Sequence, residues 1–494
     1  MVCLCVVVLG VVEKIEIGSL KGGRQKPVLS KKMDDMETRF REVLAFCGFD
    51  FKQHQYDGIQ WCLDNELRSV CPVDNVRGGF VVDEMGLGKT LMMLSVVLFH
   101  KQKTLIVVPP ILLNQWKQAV VLLSSAPGCD WITLCDYRKQ RTMACLESCQ
   151  VVICSYYAFL KDDCPLLAVS WGRVVFDEAH HLRNDGIKHK NCLRIRAPIR
   201  WLVTGTPVQN RRSDLCNLAA VAGFSGKLDK PLLMKIARYY LLRRCKQEVG
   251  IVLPTLTDNR VAVPWRADEQ RWSQQIHESL QSCFSKRGQE DGIGICNRGL
   301  DFGCTLVNML RARQMCILPT MLKKQMEERI GENEREPIFE RRGLSSKMRS
   351  VIRCVFKRSG NGRGKLIFCH FREEIDYLAT TLASLGMLVC VVDGRRRSFD
   401  FSCEVLILQI QVGCEGLNLQ ASFSEVYFVS PHWNPCVEDQ AIARCYRIGQ
   451  TQPVDVFRFY MDGNNNLETY VGRKQHGKRK LAGKLLLNSK RSRA

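Results

Sequence analysis

Two short strings, DEMGLGKT at residues 83–90 and VVFDEAHHLR at residues 174–183, restrict the core that this chain must build. The first is a glycine-rich loop ending in Lys-Thr. Such a loop cradles phosphates when a strand delivers it and a helix leaves it. GGFVVD, just before it, reads as a strand, and LMMLSVVLF, just after it, reads as a buried helix. The N-terminus of that helix adds a favourable dipole at an anion. Gly86 and Gly88 allow the tight turn, with backbone N–H groups aimed inward. Lys89 reaches the outer phosphates, and the Thr90 hydroxyl is a metal ligand. Asp83 stands at the position where this loop pattern usually has glycine. The second string is an apolar strand ending in Asp177 and Glu178, carboxylates suited to Mg²⁺ and to a water. Together the strings imply a site for a nucleoside triphosphate.

The surrounding pattern supplies the sheet. TLIVVPP, VVICSYYAFL, WGRVVFDEAH and IRWLVTGTP are apolar runs of strand length, separated by helical stretches such as ILLNQWKQAVVLL. Continuous apolar strands alternating with helices predict a doubly wound α/β domain with a parallel sheet. The alternation returns after residue 362 in GKLIFCHF, GMLVCVVDG, EVLILQIQ, EVYFVSP and PVDVFRF, with no second phosphate loop. The expected organisation is an unassigned extension over 1–39, an ATP-binding lobe over 40–250 and a helical linker over 251–361. A second α/β lobe then covers 362–470, and a basic closing helix and tail covers 471–494.

The chain has 494 residues and a formal charge of +22. Residues 471–494 carry nine basic and no acidic residues, so +13 belongs to the first 470. A bias spread through the body favours a polyanionic partner such as nucleic acid. The 25 cysteines are scattered, often within apolar strings, and none form a CxxC pair. The closest group, Cys145, Cys149 and Cys154, has no histidine at metal spacing, so free thiols and no structural zinc are expected. The opening MVCLCVVVLGVVEK is too short to cross a bilayer, and no membrane partner is expected.

In EDQAIARCYRIGQ, residues Gln440, Arg444 and Arg447 are spaced four and three apart, which a helix would align on one face. Arginines there are candidates for reaching a phosphate bound by the other lobe, as an arginine finger does.

The ordered motifs resemble helicase superfamily two, and more closely the Swi/Snf-type ATPases that translocate on double-stranded DNA. The resemblance spans roughly residues 45–482. FKQHQYDGIQW is similar to the family's adenine-contacting segment, with Gln55 as its glutamine. LVTGTPVQN resembles its coupling motif, with Thr204 and Thr206. YYLLRRCKQEV, NMLRARQMCILP, GCEGLNLQ and HWNPCVEDQAIARCYRIGQ are similar to its later elements. The resemblance implies two RecA-like lobes with helical insertions, ATP with Mg²⁺, double-stranded DNA as partner and a nuclear location. It places Asp83, Glu84, Met85, Gly86, Leu87, Gly88, Lys89 and Thr90 at ATP. It makes Lys89, Asp177, Glu178, Arg444 and Arg447 catalytic, and it gives Gln440 a coupling role and Asn418 and Trp433 contacts to DNA. It also implies action on nucleosomes or on transcription or repair complexes. FDEAHHLRN and LLRR look most like the post-replication-repair and transcription-termination group, and the short chain resembles forms in large DNA viruses. Between VVDG and VLILQ only RRRSFDFSCE intervenes, where the family has a longer stretch, so a strand–helix unit of the second lobe is expected to be truncated. A strand-separating helicase and a non-catalytic DNA-binding scaffold are the alternatives.

Overall fold

The computed structural model describes residues 26–73, 75–205, 212–226, 229–285, 305–330, 337–340, 345–395, 402–413, 417–463 and 466–478. The chain divides into two compact units, passing from the first to the second at Val252–Leu253.

The first unit is built on a seven-stranded sheet in the order β3-β4-β2-β5-β6-β1-β7. Its strands are β1 (Arg77–Val81), β2 (Thr104–Val108), β3 (Leu134–Asp136), β4 (Val151–Ser155), β5 (Arg173–Asp177), β6 (Ile199–Val203) and β7 (Leu241–Leu242), with every pairing parallel. Strands β2, β4 and β5 are buried at all five positions, because both sheet faces are covered. Side chains alternate between those faces. Phe80, Leu105, Val107, Phe176 and Leu202 enter one core, and Val81, Ile106, Val108, Val175 and Val203 enter the other. Helices α1 (Lys26–Phe46), α2 (Gln53–Leu67), α3 (Lys89–Phe99) and α4 (Leu113–Ser124) contribute to this second core.

An ion cluster pins α2 beneath the sheet. The fully buried Glu66 accepts hydrogen bonds from Arg173 Nε at 2.6 Å and Trp201 Nε1 at 2.7 Å, and pairs with His100 Nδ1 at 2.6 Å. Burial pushes its carboxyl pKa up, but the hydrogen bonds from Arg173, His100 and Trp201 outweigh it and hold the group ionised. Gln55 rides on the same helix, so this cluster fixes where that residue stands.

The second unit carries a six-stranded parallel sheet in the order β10-β11-β9-β12-β13-β8. Its strands are β8 (Leu256–Val263), β9 (Gly364–Cys369), β10 (Val389–Val392), β11 (Val405–Gln409), β12 (Phe423–Phe428) and β13 (Val454–Met461). Helices α5 (Ser346–Lys357) and α6 (Arg372–Ser384) pack on one face through Met348, Val351, Val355, Ile375, Leu378 and Leu382. The other face receives α7 (Pro435–Ile442). A last helix, α8, covers residues 467–478.

The ten apolar runs read as strands are all strands. One correction concerns the stretch expected to be a helical linker. Residues Leu256–Val263 within it are an eight-residue strand that pairs with β13 along its whole length. Its side chains are mostly exposed, so the apolar signature of a buried strand is missing. Strands β10 and β11 pair directly, and no helix joins them among the described residues. The first 25 residues, residues 396–401 and the tail from 479 lie outside the described part, and with them the end of the expected closing helix.

Candidate nucleotide site

Strand β1 and strand β5 flank β6, and their carboxyl ends deliver the two signature strings side by side. In open parallel sheets this edge is where ligands bind. Beyond β1 the loop turns through Gly86 at φ +87° and Gly88 at φ +83°, left-handed values that glycine adopts without strain. Gly88 also has no room for a side chain, since a Cβ would lie 2.2 Å from Gln55 Nε2. Helix α3 starts at Lys89, directly after that turn. The Lys89 ammonium folds onto the loop, donating to the carbonyls of Asp83 at 2.8 Å and Glu84 at 3.3 Å.

The loop is braced from two sides. From α2, Gln55 Nε2 donates to the Leu87 carbonyl at 3.2 Å, and His54 Nε2 contacts the same oxygen at 3.2 Å. Gln55 Oε1 is buried without a hydrogen-bond partner. From the segment after β7, Arg244 grips Asp83, with Nε to Oδ1 at 3.1 Å and Nη2 to Oδ2 at 2.5 Å. It also donates to the His54 carbonyl. Lys246 pairs with Glu84 at 3.2 Å. Asp83 is therefore an anchor of the loop, which accounts for a carboxylate where the usual pattern has glycine. Arg244→Met leaves that carboxylate buried and unpaired, a loss of about 3 kcal/mol. The expected result is a lower Tm and a raised KM for ATP with kcat less affected; an unchanged KM counts against the brace.

At the end of β5, the buried Asp177 accepts from Trp116 Nε1 at 2.8 Å and from the Glu178 backbone N–H at 3.0 Å. Burial and then the neighbouring Glu178 charge raise its pKa to about 7, with Trp116 and Lys89 pulling the other way. Such a carboxylate is suited to a cation. Glu178 has φ +49° and ψ +49°, a left-handed backbone that costs a non-glycine residue energy and is concentrated at functional sites. Its Oε2 lies 3.3 Å from His180 Nδ1. His180 stacks on His181 at 4.8 Å, and His181 sits 5.2 Å from Tyr156. Tyr156 in turn donates to the Asp177 carbonyl at 2.7 Å. Thr204, just past β6, is fully buried, and its N–H donates to the Val81 carbonyl at 3.0 Å. Met85 packs against Gly205, where a Cβ would meet its Cε at 2.6 Å. Thr206 lies outside the described residues.

The remaining candidates belong to the second unit. Helix α7 ends at Ile442, so the expected single helical face for Gln440, Arg444 and Arg447 does not form. The chain instead turns tightly after Ala443, burying Cys445 and tying the Arg444 carbonyl to Leu419 N–H at 3.0 Å. Gly449 at φ +92° carries the turn onward, and Gln450 Nε2 fastens it to the carbonyls of Phe423 and Cys445 at 3.1 Å each. Both arginines nonetheless share one corner. Burial, then the charge of Arg444, lowers the pKa of Arg447 to about 10. Asn418 Oδ1 accepts from Arg447 Nη1, and Gln440 is buried with its Nε2 unpartnered. Trp433 is half-buried, at 6.2 Å from Tyr470 and beneath the Arg313 guanidinium at 5.4 Å, so much of its ring packs within its own unit. Trp116, Tyr156 and Arg244 escaped the reading of the sequence; only the double arginine of LLRR marked one of them.

Among the described residues, no grouping of three or more His, Cys, Asp or Glu is arranged to hold a metal ion by itself, and no helix is long and apolar enough to cross a membrane. The model of the SNF2-related domain matches residues 54–321. The chain is 27% identical over 465 residues to a "Probable global transactivator" of Orgyia pseudotsugata multicapsid polyhedrosis virus, covering 86% of this chain and 89% of that protein. It is 26% identical over 494 residues to "ATP-dependent DNA helicase DDM1" of Arabidopsis thaliana, covering 88% of this chain but only 62% of that one. In structure it is similar to the Hef helicase domain of Pyrococcus furiosus, with a TM-score of 0.51 at 15% identity, covering 86% of this chain and 98% of that one. This likeness supports the two-lobed fold.

Proposed function

Since the chain belongs to the SNF2-related family of ATP-dependent helicases and translocases, we propose that it hydrolyses ATP to move along double-stranded DNA and so remodel protein–DNA complexes. The observation that carries this reading is the braced phosphate loop beside the strained Glu178. In it, the backbone N–H groups at Gly86–Lys89 and the Lys89 ammonium hold the phosphates. Gln55 Oε1 accepts from the base. Thr90 and Asp177 would hold Mg²⁺, which supplies charge neutralisation at the phosphates. Glu178 orients the attacking water and takes its proton. Arg444 and Arg447 supply positive charge to the transferred phosphate, steadied by Asn418, while Thr204, Thr206 and Gln440 couple hydrolysis to movement. Trp433 contacts DNA with the part of its ring that stays exposed. The motif set FDEAHHLRN with LLRR supports a place near the repair and transcription-termination translocases. The basic tail supports a location in the nucleus or a viral replication compartment.

The track is tested with nucleic acids. A body of +13 and a tail of +9 bind phosphate with little sequence preference and with affinity that falls steeply as salt rises. Duplex DNA is expected to stimulate hydrolysis more than RNA does, and a triplex-forming strand is expected to be displaced while the duplex stays paired. Unwinding of a forked duplex without triplex displacement would show a strand-separating helicase instead. Removing residues 488–494 should lower affinity and spare the stimulated rate.

A further inference from the structure

The end of β5 is gripped from both faces of the first unit's sheet. On one face Trp116, in the first turn of α4, is 1% exposed and belongs to the core that holds Val81 and Val175. Its Nε1 donates to Asp177 Oδ2 at 2.8 Å. On the other face Tyr156, directly after β4, belongs to the core that holds Phe80 and Phe176, and its hydroxyl donates to the Asp177 carbonyl at 2.7 Å. The Glu178 N–H donates to Asp177 Oδ1 at 3.0 Å. The carbonyl and both carboxylate oxygens are therefore held at once. The helix that carries Trp116 is itself tied to β3, through Lys117 Nζ and Asp136 Oδ2 at 2.8 Å.

A buried indole needs only some acceptor for its N–H. Trp171, in the same unit, uses the Leu166 carbonyl at 3.0 Å. Trp116 instead takes a carboxylate, and that choice has a consequence for the carboxylate. Buried carboxylates elsewhere in the chain hold a cation of their own: Glu66 pairs with Arg173, Glu425 with Arg358 and Glu468 with Lys347. Glu269 and Glu374 accept backbone N–H groups at helix starts. Asp177 makes no ion pair among the described residues, although it is only 7% exposed. Its two donors are neutral. Neutral donors fix the direction of a carboxylate and leave its negative charge uncompensated, which is what a divalent cation needs from a ligand. A lysine or arginine at residue 116 could fix the group equally well, but it would cancel the charge.

We propose that Trp116 and Tyr156 are positioning residues of the metal site, holding Asp177 in the orientation in which its carboxylate meets Mg²⁺. The proposal rests on the reading of Asp177 as a magnesium ligand. In this role neither aromatic side chain touches the cation or the nucleotide. Trp116 sets the rotation of the carboxylate, and Tyr156 sets the backbone from which it projects. With either donor removed, Asp177 must be ordered at the moment the cation binds, and metal affinity falls. A core built for stability alone would accept any large apolar side chain at residue 116.

The test uses the full chain with ADP bound and Mn²⁺ as the probe, which takes the same oxygen ligands as Mg²⁺ and is followed by electron paramagnetic resonance. The readout is metal affinity and does not depend on turnover. Trp116→Phe keeps an aromatic core and removes the donor; it is expected to weaken Mn²⁺ binding about tenfold or more. ADP affinity measured without metal should stay as in the parent. Tyr156→Phe removes one hydroxyl and should weaken Mn²⁺ binding severalfold. Trp171→Phe makes the same change at a buried indole bonded to a carbonyl, and should leave Mn²⁺ affinity unchanged. The Tm of each variant shows that it has folded. If Trp116→Phe does not fold, Tyr156→Phe decides, and no change there overturns the proposal. In hydrolysis, the Mg²⁺ concentration giving half the maximal rate should rise in Trp116→Phe, with much of kcat recovered at saturating Mg²⁺. Mn²⁺ affinity unchanged in a folded Trp116→Phe, or lowered equally in Trp171→Phe, would overturn the proposal. Asp177→Asn separates it from the reading on which it rests. If that variant binds Mn²⁺ as the parent does, Asp177 is no metal ligand and both fail. If it binds weakly while Trp116→Phe binds normally, only the positioning role fails.

Discussion

Glu178→Gln is expected to lower ATP turnover by about 10²–10⁴-fold, the usual contribution of a positioned general base, while ATP still binds. Glutamine keeps the size of the side chain and leaves the left-handed backbone at φ +49° in place. What it removes is the capacity to take a proton from water. Lys89→Ala makes the opposite change, because the ammonium acts on the nucleotide and not on the water; there the loss should appear in nucleotide affinity. Steady-state hydrolysis and binding of a fluorescent ATP analogue separate the two. Equal turnover by the parent and Glu178→Gln would overturn the assignment of the site.

The second large effect is expected at Arg447. An arginine acting on the transferred phosphate contributes about 10³–10⁵ in rate in phosphoryl-transfer enzymes. Arg447→Ala should therefore abolish DNA-stimulated hydrolysis and change DNA affinity little. Lysine should not restore the rate, since it lacks the planar fork. Asn418→Ala should give a smaller loss of the same kind, because it removes only the acceptor that steadies Arg447. DNA binding is read by fluorescence anisotropy alongside the hydrolysis rate. Normal hydrolysis with loss of DNA binding would move Arg447 to the basic surface instead.

Ten strands of the two sheets were legible because burial on two faces leaves an unbroken apolar run, as in Thr104–Val108 and Val405–Gln409, while β3 and β7, three and two residues long, are too short to show one. Strand β8 was not, because an edge strand with an exposed face needs no such run. The phosphate loop and the DEAH string were legible as local chemistry. Their support was not. The partners Arg244 and Asp83 are 161 residues apart, and Glu66 and Arg173 are 107 apart. No local pattern announces a pairing at that range. The helix through Arg447 failed for a related reason. Its spacing fits a helix, but the chain leaves the helix after Ile442, burying Cys445 in the core and fastening Gln450 to the carbonyls of Phe423 and Cys445.

The position of β8 at the edge beside β13 also sets an order of events during synthesis. The first unit's sheet has all its strands once Leu242 has been made, so it can close while the rest of the chain is still being translated. The second unit begins with the strand that waits longest for its neighbour, since Leu256 pairs with Val454 and Val263 with Met461. Until then β8 has no partner, and β12 lacks the neighbour on its other side. Pairings this distant in sequence form slowly, and the unpaired edge invites wrong partners meanwhile. The run at residues 257–260, which breaks the apolar pattern and hid β8 from the sequence reading, protects the nascent chain through that delay.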